Sequence, residues 1–453
     1  MNRRSFMMFA ATTAFSIPTL LPSLSFAQEA TPSSDGAECV ENETDGTCLP
    51  IADLEARVDL AKPVFSNPTD ITNPRFPISS LTQVLLLGIE AGEQLRVEAT
   101  LLPETRMVDW DGQQVETVRS QFVAYLDGRV AELAIDYFAQ ADDGSVWYFG
   151  EDVSNYERGV IANTHGTWLA GSDGVPGMIM PANPQVGNVY RPENVPGFVF
   201  EEVTVLASGQ TIDGPRGRIE GAIVVQELLL DGTYEEKVFA PGYGEFSAKT
   251  DDEFLGLALA LPIDASAEPA PRALLTLLSG ARAMFDAADD EEWDSITATF
   301  TEVVIAWEGF GSAAVPPVLD LQMDAALEAA DAAIENRASG DLRQAAVNLD
   351  RAVLDLHLQY RPVTAVDLDR MALIASQIQI DSKAGEPGDL LSNIVGIELI
   401  WNRTMHNVEA TAADKIGAAI TELRATIDSV DVDATIDVAG QFKEFLTSSS
   451  STS

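Results

Sequence analysis

The sequence predicts an α+β protein of two modules in series. An antiparallel β meander, curled into an open barrel or a sandwich, precedes an all-α antiparallel helical bundle. Three observations carry this. Up to residue 263, runs of β-branched and aromatic residues are punctuated by Asp-Gly turns. Beyond residue 272, apolar residues recur at three-to-four spacing. Between the two, Ala265-Ser266-Ala267-Glu268-Pro269-Ala270-Pro271 offers small residues and prolines that neither bury nor pair, so 264–272 reads as a linker.

Residues 1–27 come first as a signal. Arg3 and Arg4 are adjacent, Phe9 to Leu24 is free of charge, and Ser25-Phe26-Ala27 supplies the small residues of a cleavage site after Ala27. The paired arginines specify twin-arginine export from a bacterial or archaeal cell. The expected location is the periplasm, the cell surface or the medium. The run is too short and too broken by proline to span a bilayer, and no second stretch of ~20 apolar residues follows, so no transmembrane segment is expected after cleavage.

Residues 28–70 are polar and spotted with proline, and read as a tethered arm. Cys39 and Cys48 are the only cysteines and lie nine apart in an acidic, turn-rich stretch. In an exported protein they form one disulfide most simply.

The β module, 71–263, shows its turns clearly. Phe122 to Leu126 is followed by Asp127-Gly128 and then Val130 to Ala139. Asp142-Asp143-Gly144 separates that run from Val146-Trp147-Tyr148-Phe149-Gly150. Ile223 to Leu230, Asp231-Gly232, and Tyr234 to Ala240 repeat the scheme. With no helical pattern between them, the strands are antiparallel neighbours.

The bundle, 273–447, divides into seven periodic stretches: Leu274 to Asp286, Trp293 to Trp307, Val318 to Arg337, Asp341 to Tyr360, Ala365 to Asp381, Leu390 to Val408 and Ala412 to Val430. In the fourth, Leu342, Ala346, Leu349, Val353, Leu356 and Tyr360 form one stripe. Residues 448–453 read as a disordered tail.

Charge limits the partners. The chain carries 71 acidic against 27 basic residues, a net charge of -44. Such a surface repels nucleic acid and anionic membrane. It suits an exported protein kept soluble by acidity, and equally a protein of a salt-loving microbe. A small molecule or an envelope component remains as partner.

Several blocks of the β module, Asp136-Tyr137-Phe138-Ala139-Gln140, Val146-Trp147-Tyr148-Phe149-Gly150-Glu151-Asp152, Gly166-Thr167-Trp168-Leu169-Ala170-Gly171, Gly177-Met178-Ile179-Met180-Pro181 and Val186-Gly187-Asn188-Val189-Tyr190-Arg191, stand in order. Over residues 70 to 250 the chain resembles an uncharacterised family of secreted bacterial proteins. That resemblance implies a secreted β module and no mechanism. Val84 to Gly92 departs from it by lacking the aromatic-rich strand many members have. The helical half resembles no named family.

Two constellations are candidate sites. Trp147 and Tyr148, with Glu151 and Asp152 at the lip, could wall an aromatic ligand cleft; the alternative is a packed core ending in a turn. On one helical face Glu398, Asn402 and His406 fall at i, i+4 and i+8. With His357 from another helix, Glu398 and His406 could hold a metal; otherwise Glu398 pairs with Arg403 or Arg370. His165 sits in a loop-like segment. Asp142, Asp143, Glu151 and Asp152 flank one strand too far apart for a glycosidase pair, and no Gly-x-Ser-x-Gly or phosphate-cradling loop occurs. The expectation is therefore a non-enzymatic exported binding or envelope-associated protein that needs no cofactor. A metal- or cofactor-binding bundle is the second reading, and a hydrolase whose site assembles only in the fold is the third.

Overall fold

The computed structural model describes residues 38–311 and 315–450. Arg3, Arg4, Ala27 and the rest of the predicted signal, with residues 451–453, lie outside the described residues. Among the described residues, fifteen strands come first and eight α-helices follow. The strands are β1 (Gln83–Glu90), β2 (Glu93–Leu101), β3 (Arg106–Trp110), β4 (Gln113–Leu126), β5 (Arg129–Gln140), β6 (Val146–Glu157), β7 (Val160–Asn163) and β8 (Trp168–Leu169). They continue with β9 (Gly177–Met180), β10 (Val189–Val195), β11 (Val199–Gly214), β12 (Gly217–Leu229), β13 (Tyr234–Ala240), β14 (Gly244–Lys249) and β15 (Glu253–Leu261).

These make one open antiparallel sheet in the order β10-β11-β12-β13-β14-β15-β1-β2-β4-β5-β6-β7, with β3 added to β4 and with β8 and β9 added to β6. The meander follows from its turns. Asp127 and Gly128 both take positive φ, 44° and 76°, as the tight turn that matches strand twist requires. The sheet curls until β9 lies against β10, where a Cβ on Gly177 would come within 1.9 Å of Pro192 O. The opening strand β1 pairs with β2 without interruption and with β15 across one register shift at Leu85/Leu86.

The sequence of β1 is almost continuously apolar because both of its faces are buried. Leu86 points into the curl with Leu95, Val97 and Ala124. Leu85 and Leu87 point the other way and pack with Leu259, Leu274 and Leu277 against the helices. Fully burying such a leucine stabilises the fold by roughly 1.5–3 kcal/mol.

The helices are α1 (Arg272–Asp289), α2 (Trp293–Phe310), α3 (Pro317–Asn336), α4 (Ser339–His357), α5 (Val363–Ala384), α6 (Pro387–Thr404), α7 (Ala410–Asp428) and α8 (Val432–Ser450). The first four share a core with the outer face of the sheet. The last four pack around a second core that includes Met371, Ile397, Leu423 and Phe442. Two boundaries differ from the sequence reading. An eighth helix occupies the stretch after Val430, begun by Asp431, whose carboxylate accepts from Ala434 N at 3.0 Å. It runs to Ser450, so the tail predicted from 448 starts inside a helix. The stretch predicted as helical to Val408 ends at Thr404 and tightens into a 3₁₀ turn over Met405–Asn407.

Segment 38–82 contains no long element, yet it is laid against the sheet by hydrogen bonds. Glu43 N donates to Leu230 O, Val58 N to Val189 O, and Gln140 N to Pro68 O. Glu38 and Glu202 accept from the buried Arg191 guanidinium. Cys39 and Cys48 are bonded to each other.

A buried ionic seam joins sheet and bundle. Arg96 on β2 makes a forked pair with Asp355 of α4, at 2.6 and 2.8 Å. Asp355 also takes Arg370 of α5 at 2.9 Å. Asp367 receives Arg370 at 2.9 Å and Nε and Nη2 of Arg403 at 2.8 Å. Glu98 completes the set with Arg403 at 2.7 Å. Three guanidinium groups thus face three carboxylates, the balance that buried charge demands.

Candidate functional site

The alternation of β strands decides what the curled sheet encloses. Inward-facing residues surround a cavity of about 180 Å³. Leu86, Leu95, Val97 and Phe138 form its apolar wall, and Phe76, Pro77 and Ile78 of the N-terminal segment line it too. A polar corner is built by β12 and β13. Glu227 lies opposite Glu235 in the register, and Lys237 lies opposite Val225. Lys237 Nζ reaches Glu227 and stands 3.3 Å from Glu235. Tyr190 of β10 adds a buried hydroxyl that meets no hydrogen-bond partner. Burial, and then the Glu227 charge, push that phenol well above its usual range, so it stays a neutral donor and acceptor.

Next to this cavity three acids crowd together. Glu193 and Glu201 are opposite residues of β10 and β11, and Glu151 comes from β6. Trp168 Nε1 donates to Glu193 Oε1 at 3.0 Å. Burial raises the Glu193 carboxyl well above the usual carboxylate range, and the neighbouring Glu201 and Glu151 charges raise it further. Like charges this close resist ionising together in a low dielectric, so Glu193 holds its proton to higher pH than an exposed carboxyl does.

The aromatic block of β6 is packed core and not a cleft wall. Tyr148 stacks on Phe138 at 4.8 Å and its hydroxyl donates to Asp136 at 2.9 Å. Trp147 is buried on the opposite side, with Nε1 donating to Ser145 Oγ at 2.8 Å. Phe149 is covered by Phe65 and Trp110, edge to face. Glu151 and Asp152 do not share a lip. Glu151 is 1% exposed, whereas Asp152 lies outside and accepts from Tyr137 Oη at 2.5 Å and Arg106 at 3.0 Å. The outer-facing rings are buried because segment 38–82 and β3 cover that face, which β6 alone does not reveal. Asp142 and Asp143 do turn work, accepting from Ser66 and Ser145.

The proposed metal ligands do not meet. Glu398 is held by the Arg424 fork rather than by Arg403 or Arg370, which belong to the seam. His406 stands 3.3 Å from Glu104 on the surface, because the 3₁₀ turn at Met405 takes it off the face Glu398 occupies. His357 is fully buried in α4. Burial first, and then Arg361, hold it down to about 4. Among the described residues no group of three His, Cys, Asp or Glu side chains is placed to hold a metal. His165 is an exposed turn residue, as its loop-like context implies.

The residues that line the cavity's polar corner were not singled out from the sequence. Their signal was present: Glu227 interrupts the apolar run Ile223 to Leu230, and Lys237 is one of six lysines in the whole chain. A charged residue on the inward register of a strand is costly unless paired, so both point to a built polar site.

The chain matches no family model and no curated protein.

Proposed function

We propose that this is an exported, non-enzymatic binding protein, and that its ligand compartment is the interior of the curled sheet. One observation carries the reading: a cavity inside the curl whose wall is largely apolar, where Tyr190, Lys237, Glu227 and Glu235 gather in one corner and further acids, Glu132 and Asp136 among them, also line it. Ligand pockets in general combine such walls with a few placed polar groups. The resemblance to secreted β proteins agrees with it, as does an acidic surface that excludes nucleic acid. At about 180 Å³ the compartment suits a compact ligand rather than a long acyl chain.

A neutral fluorescent probe, N-phenyl-1-naphthylamine, tests this by titration. The wild-type protein is expected to enhance its emission saturably. Ala124→Phe, which places a ring in the cavity, is expected to weaken binding about tenfold or more while the fold is kept, since the added volume enters space already empty. No saturable signal from the wild-type protein would sink the reading.

A further inference from the structure

A second cavity lies outside the sheet, where β module, linker and bundle meet. Its volume is about 600 Å³. One wall is apolar, from Leu101, Leu102, Leu261, Leu358 and Val363. The remainder is polar and carries two guanidinium groups, Arg361 and Arg403, against one carboxylate, Asp367. Arg361 is already paired with Asp369 at 2.6 Å, and Arg403 with Asp367 and Glu98, so what the cleft offers is unmatched donors rather than net charge.

Two donors among the lining residues are left over. Arg403 is 4% exposed; its Nε and Nη2 are taken by Asp367 and Glu98, and its Nη1 has no acceptor. Gln359, in the turn between α4 and α5, has a buried Nε2 that is likewise without one. A buried donor without an acceptor costs roughly 1–3 kcal/mol, so both are groups that a ligand would relieve. What they lack is an acceptor, and what the cleft offers beside them is an apolar wall.

We propose that this cleft binds a small organic acid, with its carboxylate toward Gln359 and Arg403 and its apolar body against Leu102, Leu358 and Val363. Because the cleft is bounded by the ends of β2 and β15, the linker, the turn between α4 and α5, the start of α5 and the end of α6, such a ligand braces the two modules across their junction. The site is separate from the interior of the sheet and does not depend on that reading.

Calorimetric titration of the full chain with 3-phenylpropanoate, 3-phenylpropan-1-ol and 3-phenylpropylamine tests it. The acid is expected to bind at least about tenfold more tightly than the alcohol or the amine, since a hydrogen bond to a charged group contributes ~1.5–3 kcal/mol. Gln359→Glu replaces the donor with a like charge and is expected to weaken the acid about tenfold or more. Its backbone contacts, the only ones that tie Gln359 to Leu356 and Ser266, are untouched, so folding is retained. Thr364→Trp, which occupies the cleft, is a second variant expected to weaken the acid. Ala124→Phe, which fills the sheet cavity, is expected to leave it unchanged. The inference is overturned if the acid shows no binding up to ~10 mM, if the alcohol or amine matches it, if Gln359→Glu and Thr364→Trp both bind it as well as wild type, or if Ala124→Phe abolishes it.

Discussion

Two of the regions where this protein buries charge handle it in opposite ways. At the seam between sheet and bundle, Arg96, Arg370 and Arg403 interleave with Glu98, Asp355 and Asp367, and the Asp355 and Asp367 carboxylates each take two guanidinium groups. Beside the sheet cavity, Glu151, Glu193 and Glu201 crowd one another, and the crowding is relieved by a retained proton on Glu193. A scarce supply of basic residues is thus concentrated where two modules must be held in one geometry. At the acid cluster the protonation of Glu193 shifts instead. The seam should therefore be intolerant of losing one partner and indifferent to moderate pH, and the acid cluster the reverse.

The largest effect is expected from breaking the seam. Asp367→Ala leaves Arg403 and Arg370 without their shared carboxylate, and removal of one partner from a buried pair costs about 3–5 kcal/mol. Urea denaturation reads that loss directly; a change under ~1 kcal/mol would show that the seam is not the buried network described.

An intermediate effect is expected from pH, with two opposing slopes. His357, held to about 4 against its ordinary value of 6.5, stays neutral in the fold while the unfolded chain takes up a proton. Its contribution is present above pH 6.5 and lost as pH falls toward 4, by roughly 3 kcal/mol at the acid end. Glu193 has a raised value, so its contribution is complete below its ordinary 4.5 and is lost as pH rises through the folded value. Stability profiles of His357→Leu and Glu193→Gln should each lose one of these slopes and keep the other. A wild-type-like profile from both variants would refute the assignment.

The smallest effect tests whether burial, rather than pairing, sets the difference. Glu398 and Arg424 form as good a fork as any in the seam, yet their side chains are 34% and 31% exposed. Arg424→Ala is expected to cost under ~1 kcal/mol by the same urea measurement. A loss as large as that of Asp367→Ala would remove exposure as the explanation.

The fold class was legible because the two periods are strong. Asp127-Gly128 announced its hairpin, and the stripe from Leu342 to Leu356 announced α4. The eighth helix left the same kind of trace, Ala439, Phe442 and Leu446 at helical spacing behind the Asp431 cap, but it lies beyond the seven stretches the sequence analysis singled out. The seam was not legible: Arg96 and Glu98 alternate with Leu95 and Val97 just as they would on a strand with one wet face. Only the bundle's position makes that face dry. The metal constellation failed for a local reason, since an i+8 relation holds only while the helix continues, and it stops at Thr404. The aromatic block failed for a distant one, the cover provided by Phe65 and Trp110.

The hairpin turn between β6 and β7 settles how separable the modules are. Gly159 takes φ 76°, and a Cβ there would sit 2.3 Å from Ser392 N and 2.4 Å from Leu391 C on α6. One methyl group at a β turn would therefore push a helix off the sheet, more than two hundred residues away along the chain. Together with the double burial of β1, this ties the Pro/Ala linker to a role as a connection and not a hinge. Neither half could be carried into another protein by recombination at that linker, because each supplies the surface on which the other closes its core.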